Sequence, residues 1–266
     1  MEIADSFVPT AGVVGILPLV AYFFLVVAVY VFLGTFIAAL ATQSAVSRLR
    51  SVLILTAVIA AVSGLSYYQI QGYYHNMLAE LATVTNPSDR QVLIRESYNA
   101  IGQYRFMDWA VTIPLLLIQA VMLREAPPTL PARLLFTMLA VSFFMFLTGY
   151  IGHQQLAFDN EILVGPKAIW GVISMLCYAA LIRTLLPFWK QPATRIQANE
   201  HQISQLTTLS VGIFGLAYPI GYFLSLTSID FNLIHILYTV ADMSSKVTIA
   251  LAVYFSYKAE DINPST

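Results

Sequence analysis

The chain has 266 residues, 58% of them hydrophobic and only 10% charged, with a mean hydropathy of +0.74. A soluble domain carries about 45–50% apolar and about 25% charged residues, so this is the composition of a polytopic membrane protein. A net charge of −1 gives no electrostatic case for nucleic acid, and the single cysteine, Cys177, excludes an intrachain disulfide and a cysteine metal cluster; no metal site is expected.

The N-terminal stretch, residues 1–10, carries Glu2 and Asp5 and no basic residue. It lacks the positive region of a cleaved signal peptide, so the first helix is expected to act as an uncleaved insertion signal. A helix needs about 20 apolar residues to cross a bilayer. Seven segments qualify: 12–42, 51–77, 100–123, 132–155, 162–189, 204–227 and 234–258. Polar or proline-rich breaks separate them, among them Asn86-Pro87-Ser88-Asp89, Glu125-Ala126-Pro127-Pro128 and Asp230-Phe231-Asn232. No repeat or soluble domain interrupts the series. The expected fold is all-α, a single seven-helix membrane domain over residues 1–266. Cys177 falls in span five and reads as packing.

Basic residues in loops mark the cytoplasmic side. The loops after spans one, three and five, with the C-terminus, hold Arg48, Arg50, Arg124, Arg133, Lys190, Arg195 and Lys258. The other side holds Arg90, Arg95 and Lys167 among eight acidic residues. The N-terminus is therefore expected outside and the C-terminus in the cytoplasm. Spans three and seven then run in the same direction, which puts Asp108 and Asp242 at comparable depth.

Four charged residues are expected well inside the spans: Arg105, Asp108, Asp242 and Lys246. A charged side chain in hydrocarbon is costly, by roughly 2.5–3.5 kcal/mol on insertion scales. Two cations and two anions neutralise one another only if they face each other. Asp242 and Lys246 stand one turn apart on one helical face, as do Arg105 and Asp108; Thr112 lies a further turn on and is placed to hydrogen-bond the Asp108 carboxylate. A lysine kept from water is also the usual Schiff-base amine.

The pattern Arg105-Phe-Met-Asp108-Trp109-Ala-Val-Thr112-Ile-Pro114-Leu-Leu116-Leu-Ile-Gln119, with Asp242-Met-Ser-Ser245-Lys246, closely resembles microbial (type 1) rhodopsins, nearest in texture to the bacterial proteorhodopsin and sodium-pump branches. Further matches are Leu-Thr148-Gly149-Tyr-Ile-Gly152 in span four, Trp170-Gly171-Val-Ile-Ser174 in span five and Ala217-Tyr218-Pro219-Ile-Gly-Tyr222 in span six. The resemblance implies all-trans retinal on Lys246 as a protonated Schiff base. It implies Asp108 as primary counterion and proton acceptor, Asp242 as second counterion and Arg105 as the gate toward the outside. Trp109, Leu116, Met145, Thr148, Gly149, Ser174, Tyr218, Pro219, Tyr222 and Ser245 match pocket positions. Leu116 matches a colour-tuning site and resembles the green-absorbing choice. The implied activity is light-driven ion transport rather than enzymatic catalysis. The implied setting is a prokaryotic plasma membrane, multi-pass, with the lipid bilayer and protons as partners and a trimer or pentamer as assembly.

Several positions depart from that family pattern. Gln119 stands where many proton pumps carry an acidic cytoplasmic donor, about 16 Å inward of Asp108, and an amide does not donate a proton at ordinary pH. With Asp108 at the counterion position and Thr112 where sodium pumps carry a carboxylate, the triplet Asp108, Thr112, Gln119 favours outward proton transport. A slow sensor and a sodium or chloride pump remain the alternatives. Gly215 replaces the usual tryptophan at the retinal ring, leaving a gap, admitting a neighbour such as Phe214, or being offset by a large residue elsewhere. Gly171 stands where some relatives open a lateral window for a carotenoid antenna; the other reading is close helix packing. Gln69 lies near the position of a counterion-linked histidine. His153 and His235 are read either as polar residues satisfied near the interface or as parts of a protomer contact or exit path.

Overall fold

In a computed structural model the described residues are 8–42, 47–122, 132–189, 206 and 210–262. Seven helices follow in chain order: α1 (Ile16–Ala41), α2 (Ser47–Leu81), α3 (Pro87–Met122), α4 (Ala132–His153), α5 (Val164–Trp189), α6 (Ser210–Leu224) and α7 (Phe231–Ile262). Six are long and apolar enough to cross a membrane; the described part of α6 is shorter. Residues 204, 205 and 207–209, the start of the expected sixth span, lie outside the described residues. Each helix packs on its chain neighbour, α1 closes the ring against α7, and α7 also touches α2 and α3. That topology carries the interior faces of α2, α3 and α7 to one axis. Large apolar side chains such as Phe23, Phe136, Phe143 and Ile169 stay exposed on the rim, as a lipid-facing surface requires.

Each expected span overlaps a helix of the described residues, the sixth over Ser210–Leu224 alone, and several helices run past the expected ends. α3 begins at Pro87, a little over three turns before residue 100. Hydropathy ends where residues turn polar; the backbone ends where a cap stops it. Here the Asn86 side chain accepts hydrogen bonds from the Ser88 backbone N–H and hydroxyl at 3.1 and 2.9 Å. Pro87 at the first helical position needs no donor there. At the other end of the chain, Gly15 takes φ +95°, separating a short turn, Ala11–Val14, from α1. Two prolines shape the middle of the bundle. Pro114 sits inside α3. Pro219 cannot donate to the Gly215 carbonyl four residues earlier, and the turn there tightens to a 3-10 segment, Phe214–Leu216. Between α4 and α5 a bridge pairs Leu156 with Ile162.

Candidate functional site

α7 sets Asp242 and Lys246 one turn apart, and α3 presents Asp108 opposite. The Lys246 Nζ lies 2.5 Å from Asp108 Oδ2 and 3.4 Å from Asp242 Oδ1, with all three side chains at most 2% exposed. Burying an isolated ion costs several kcal/mol, so these charges persist because they meet. Their hydrogen bonding is unequal. Asp242 accepts from Tyr67 Oη at 2.8 Å, from Trp109 Nε1 at 3.0–3.1 Å and from the Tyr218 hydroxyl. Among the described residues, Asp108 accepts only Ser63 Oγ, at 2.9 Å, besides the lysine. The carboxylate with fewer donors loses less by taking a proton. Thr112 does not reach the Asp108 carboxylate as expected: its hydroxyl donates to the Asp108 backbone carbonyl at 2.9 Å, the i−4 bond open to any helical threonine.

Arg105 stands apart from this pair and makes no ion pair with a described carboxylate. Its guanidinium donates to Tyr67 Oη at 2.9 Å, Thr239 Oγ1 at 3.0 Å and the His235 carbonyl at 3.5 Å, and lies over the Tyr67 and Tyr238 rings. The expected four-charge cluster is therefore split. Lys246 joins both carboxylates, and Arg105 reaches Asp242 through the single hydroxyl of Tyr67.

Beside the cluster lies an apolar cavity of about 60 Å³. Trp109, Met145, Gly149, Gly171, Ser174, Tyr218, Pro219 and Tyr222 line it, with Phe106, Tyr178, Gly215 and Tyr238. Trp109 and Tyr218, whose rings are 4.3 Å apart, both hold Asp242. The cavity wall and the lysine amine thus share one layer. Lys246 itself is not among the lining residues; Trp109 and Tyr218, which are, hold the Asp242 that meets its amine, and the aromatic and aliphatic walls suit a long apolar molecule. Free Nζ here stands in for the nitrogen of a linkage to such a molecule.

A family model described as bacteriorhodopsin-like protein matches residues 18–258. The chain belongs to the bacteriorhodopsin-like family, the type 1 rhodopsins. A green-light absorbing proteorhodopsin from Gamma-proteobacterium EBAC31A08 is 26% identical over 160 residues, covering 57% of this chain and 59% of that one. The match thus spans little more than half the curated relative's length. Among solved structures, Exiguobacterium sibiricum rhodopsin superposes with a TM-score of 0.69 at 19% identity, over 91% of this chain and 97% of that one. Xanthorhodopsin, titled a light-driven ion pump with dual chromophore, gives 0.67 at 17%, over 92% and 96%. These likenesses establish the seven-helix rhodopsin fold.

Against the rhodopsin pattern, three expected pocket positions lie off the main cavity wall. The Thr148 hydroxyl turns back to the Phe144 and Met145 carbonyls of its own helix. Leu116 lines a small cavity with Gln119, Thr56 and Lys246. Ser245 is held by Ser210, which donates to its carbonyl at 2.7 Å. Gly215 is buried, and Tyr178 packs against the place of its missing side chain: the Tyr178 hydroxyl would lie 3.0 Å from an added Cβ and donates to the Gly212 carbonyl. Gly171 is buried and lines the main cavity, with the Tyr222 ring standing where a side chain would be. Gln69 is exposed; the α2 residue facing Asp108 is Ser63, because the helix turns its interior stripe through Thr56, Ser63, Tyr67 and Tyr74. That seven- and eleven-residue polar spacing was the available signal for Ser63 and Tyr67. His153 points inward rather than to a neighbour, its Nε2 on the Asn99 carbonyl at 2.9 Å. His235 is 1% exposed. Lys167, expected at the surface, is fully buried, a fifth charged residue inside the bundle.

Proposed function

We propose that this protein is a retinal-binding, light-driven pump that moves protons outward, with the first transfer from the Lys246 nitrogen to Asp108. The carrying observation is the 2.5 Å contact between Nζ and Asp108 Oδ2, beside an Asp242 already saturated with donors. Retinal joined to Lys246 would supply light-driven isomerisation and a transferable proton at that nitrogen. Asp108 Oδ2 takes the proton, while Asp242, caged by Tyr67, Trp109 and Tyr218, keeps its charge and holds the nitrogen in register. Arg105, one layer away, offsets the remaining negative charge through Tyr67. The loop charges favour the end bearing Asp230 as the outside and a bacterial plasma membrane as the setting. Relatives named as green-light absorbing proteorhodopsin and as a light-driven ion pump support the same reading.

On the opposite side Gln119 is fully buried, and its Nε2 donates to Thr56 Oγ1 at 2.7 Å. No buried carboxylate lies there among the described residues. Reprotonation of Lys246 therefore draws on the cytoplasm through water, and the late cycle is slow. The test is a light-driven pH change in a suspension of cells expressing the chain with all-trans retinal. Acidification of the medium, abolished by a protonophore and absent in a colourless Lys246→Ala variant, is the expected result. Alkalinisation enhanced by the protonophore would assign the transport to sodium or chloride instead.

A further inference from the structure

The geometry points to His235 as the proton relay of the outer half of the bundle, taking the proton that leaves the Asp108 layer past Arg105 and giving it up toward Asp230. This rests on the outward-pump reading above. The first observation is position. On α7, His235 stands two turns before Asp242, about 10 Å along the axis toward the Asp230 end. Arg105 donates to its backbone carbonyl at 3.5 Å and to Thr239 Oγ1 at 3.0 Å, and Thr239 donates to that same carbonyl at 2.7 Å. Through Tyr67, Arg105 is in turn joined to Asp242. Toward the surface, the His235 ring lies 5.6 Å from the ring of Tyr74, whose hydroxyl donates to Asn232 Oδ1. Asn232 donates from its backbone N–H and its Nδ2 to Asp230 Oδ1, at 2.8 Å each, and Asp230 is exposed.

The second observation is that both ring nitrogens are free. The His235 side chain is buried, yet among the described residues neither Nδ1 nor Nε2 has a hydrogen-bond partner, and Arg105 Nε lacks one too. A ring packed between Tyr74 and Tyr98, at 5.6 and 5.7 Å, also fills the core. Core filling alone favours an apolar side chain, which leaves no buried polar atom unmatched. Such atoms are paired by water where protein does not pair them. Arg105 and His235 line one cavity of about 10 Å³, the size of a single water. A water held there accepts from Arg105 Nε and donates to one imidazole nitrogen, leaving the other for a second partner. A neutral imidazole accepts at one nitrogen and donates at the other, so a proton taken up is matched by one given up and the ring ends neutral. His153 lacks that freedom, because its Nε2 is held on the Asn99 carbonyl at 2.9 Å, an acceptor only. Among the described residues no carboxylate is buried on this side; the buried ones are Asp108 and Asp242 themselves. The neighbouring cations are Arg105 and, against the Tyr98 ring, Lys167. Both repel an imidazolium, so His235 passes the proton on instead of storing it.

The experiment uses the full chain, loaded with all-trans retinal, in lipid nanodiscs. After a flash, absorption follows loss of the proton from the Lys246 nitrogen, and a pH-indicating dye follows its arrival in the medium. The readout is the lag between the two, which cancels any general slowing of the cycle. In the parent, the dye signal should follow deprotonation closely. His235→Gln and His235→Asn keep an amide that hydrogen-bonds but carries no proton. Each should lengthen the lag about a hundredfold, the low end of what a positioned acid–base group contributes. If one of them does not take up retinal, the other decides. His235→Glu, which can take and lose a proton, should restore prompt release. An amide variant with the parent's lag overturns the relay. So does a His235→Glu variant as slow as the amides, which would make the imidazole a packing group. A parent that loses the nitrogen's proton while none reaches the medium would instead sink the outward pump, and the relay with it.

Discussion

Replacing Gly171 with alanine should destabilise the protein, although it adds one methyl group to a helix. The added Cβ would stand 2.3 Å from Tyr222 Cε1, 2.9 Å from Cδ1 and 3.3 Å from Phe223 Cζ, where ordinary contact begins at 3.4 Å. The Tyr222 ring must therefore move by about an ångström, yet its hydroxyl is tied to the Lys167 carbonyl at 2.8 Å. Overpacking of this kind costs ~1–3 kcal/mol, and loosening the hydrogen bond adds ~0.5–1.5 kcal/mol. Alanine's helical advantage over glycine returns only ~0.5–1 kcal/mol. The net loss of ~0.5–4 kcal/mol, about 2 kcal/mol at the centre, corresponds to a fall of roughly 4–8 °C in the unfolding midpoint at that central value. Parent and variant are compared at one scan rate in one detergent. Gly72→Ala serves as control, since nothing lies within 4 Å of its Cβ, and it should be neutral or stabilising. Adding Tyr222→Ala should relieve the Gly171→Ala clash, a coupling a double-mutant cycle reads directly. A Gly171→Ala variant melting at or above the parent would refute the packing argument and reopen the glycine as a window.

Tyr67→Phe removes the oxygen that joins Arg105 to Asp242, two hydrogen bonds to charged groups worth about 1.5–3 kcal/mol each. A fall in unfolding midpoint with a smaller light-driven pH change is expected; an unchanged midpoint would show that water replaces the hydroxyl without cost. Gln119→Glu restores a carboxylic acid beside Thr56. In the parent, recovery of the dark state should slow in proportion as cytoplasmic proton concentration falls, and in Gln119→Glu it should be faster and lose that dependence. A parent whose recovery ignores cytoplasmic pH would place the proton source elsewhere.

The axis of the site was readable from the chain because it lies within single helices. Asp242 and Lys246 share a face by spacing, as do Arg105 and Asp108, and their hydrocarbon setting demanded partners. What spacing does not carry is which helices face one another. Ser63 and Tyr67 belong to an interior stripe on α2 whose depth against α3 is set only by packing. Tyr178 and Gly215 are complementary in volume across two helices, and neither alone announces the other. Lys167 misled for a further reason. A lysine near a helix end ordinarily extends its long stem to water, and here Tyr98 and Tyr222 close over it. The extra turns of α3 were missed because polar residues still form helix beyond the bilayer.

Tyr67 carries one consequence beyond its contacts. Its oxygen accepts from Arg105 and its hydrogen goes to Asp242, so each bond polarises the other. When the charge around Asp242 changes, the hold on Arg105 changes with it, over one phenol and with no helix displaced. The coupling between the two halves of the bundle is thus a matter of charge passed through a rigid ring, and it operates as fast as electrons and a hydroxyl proton can readjust.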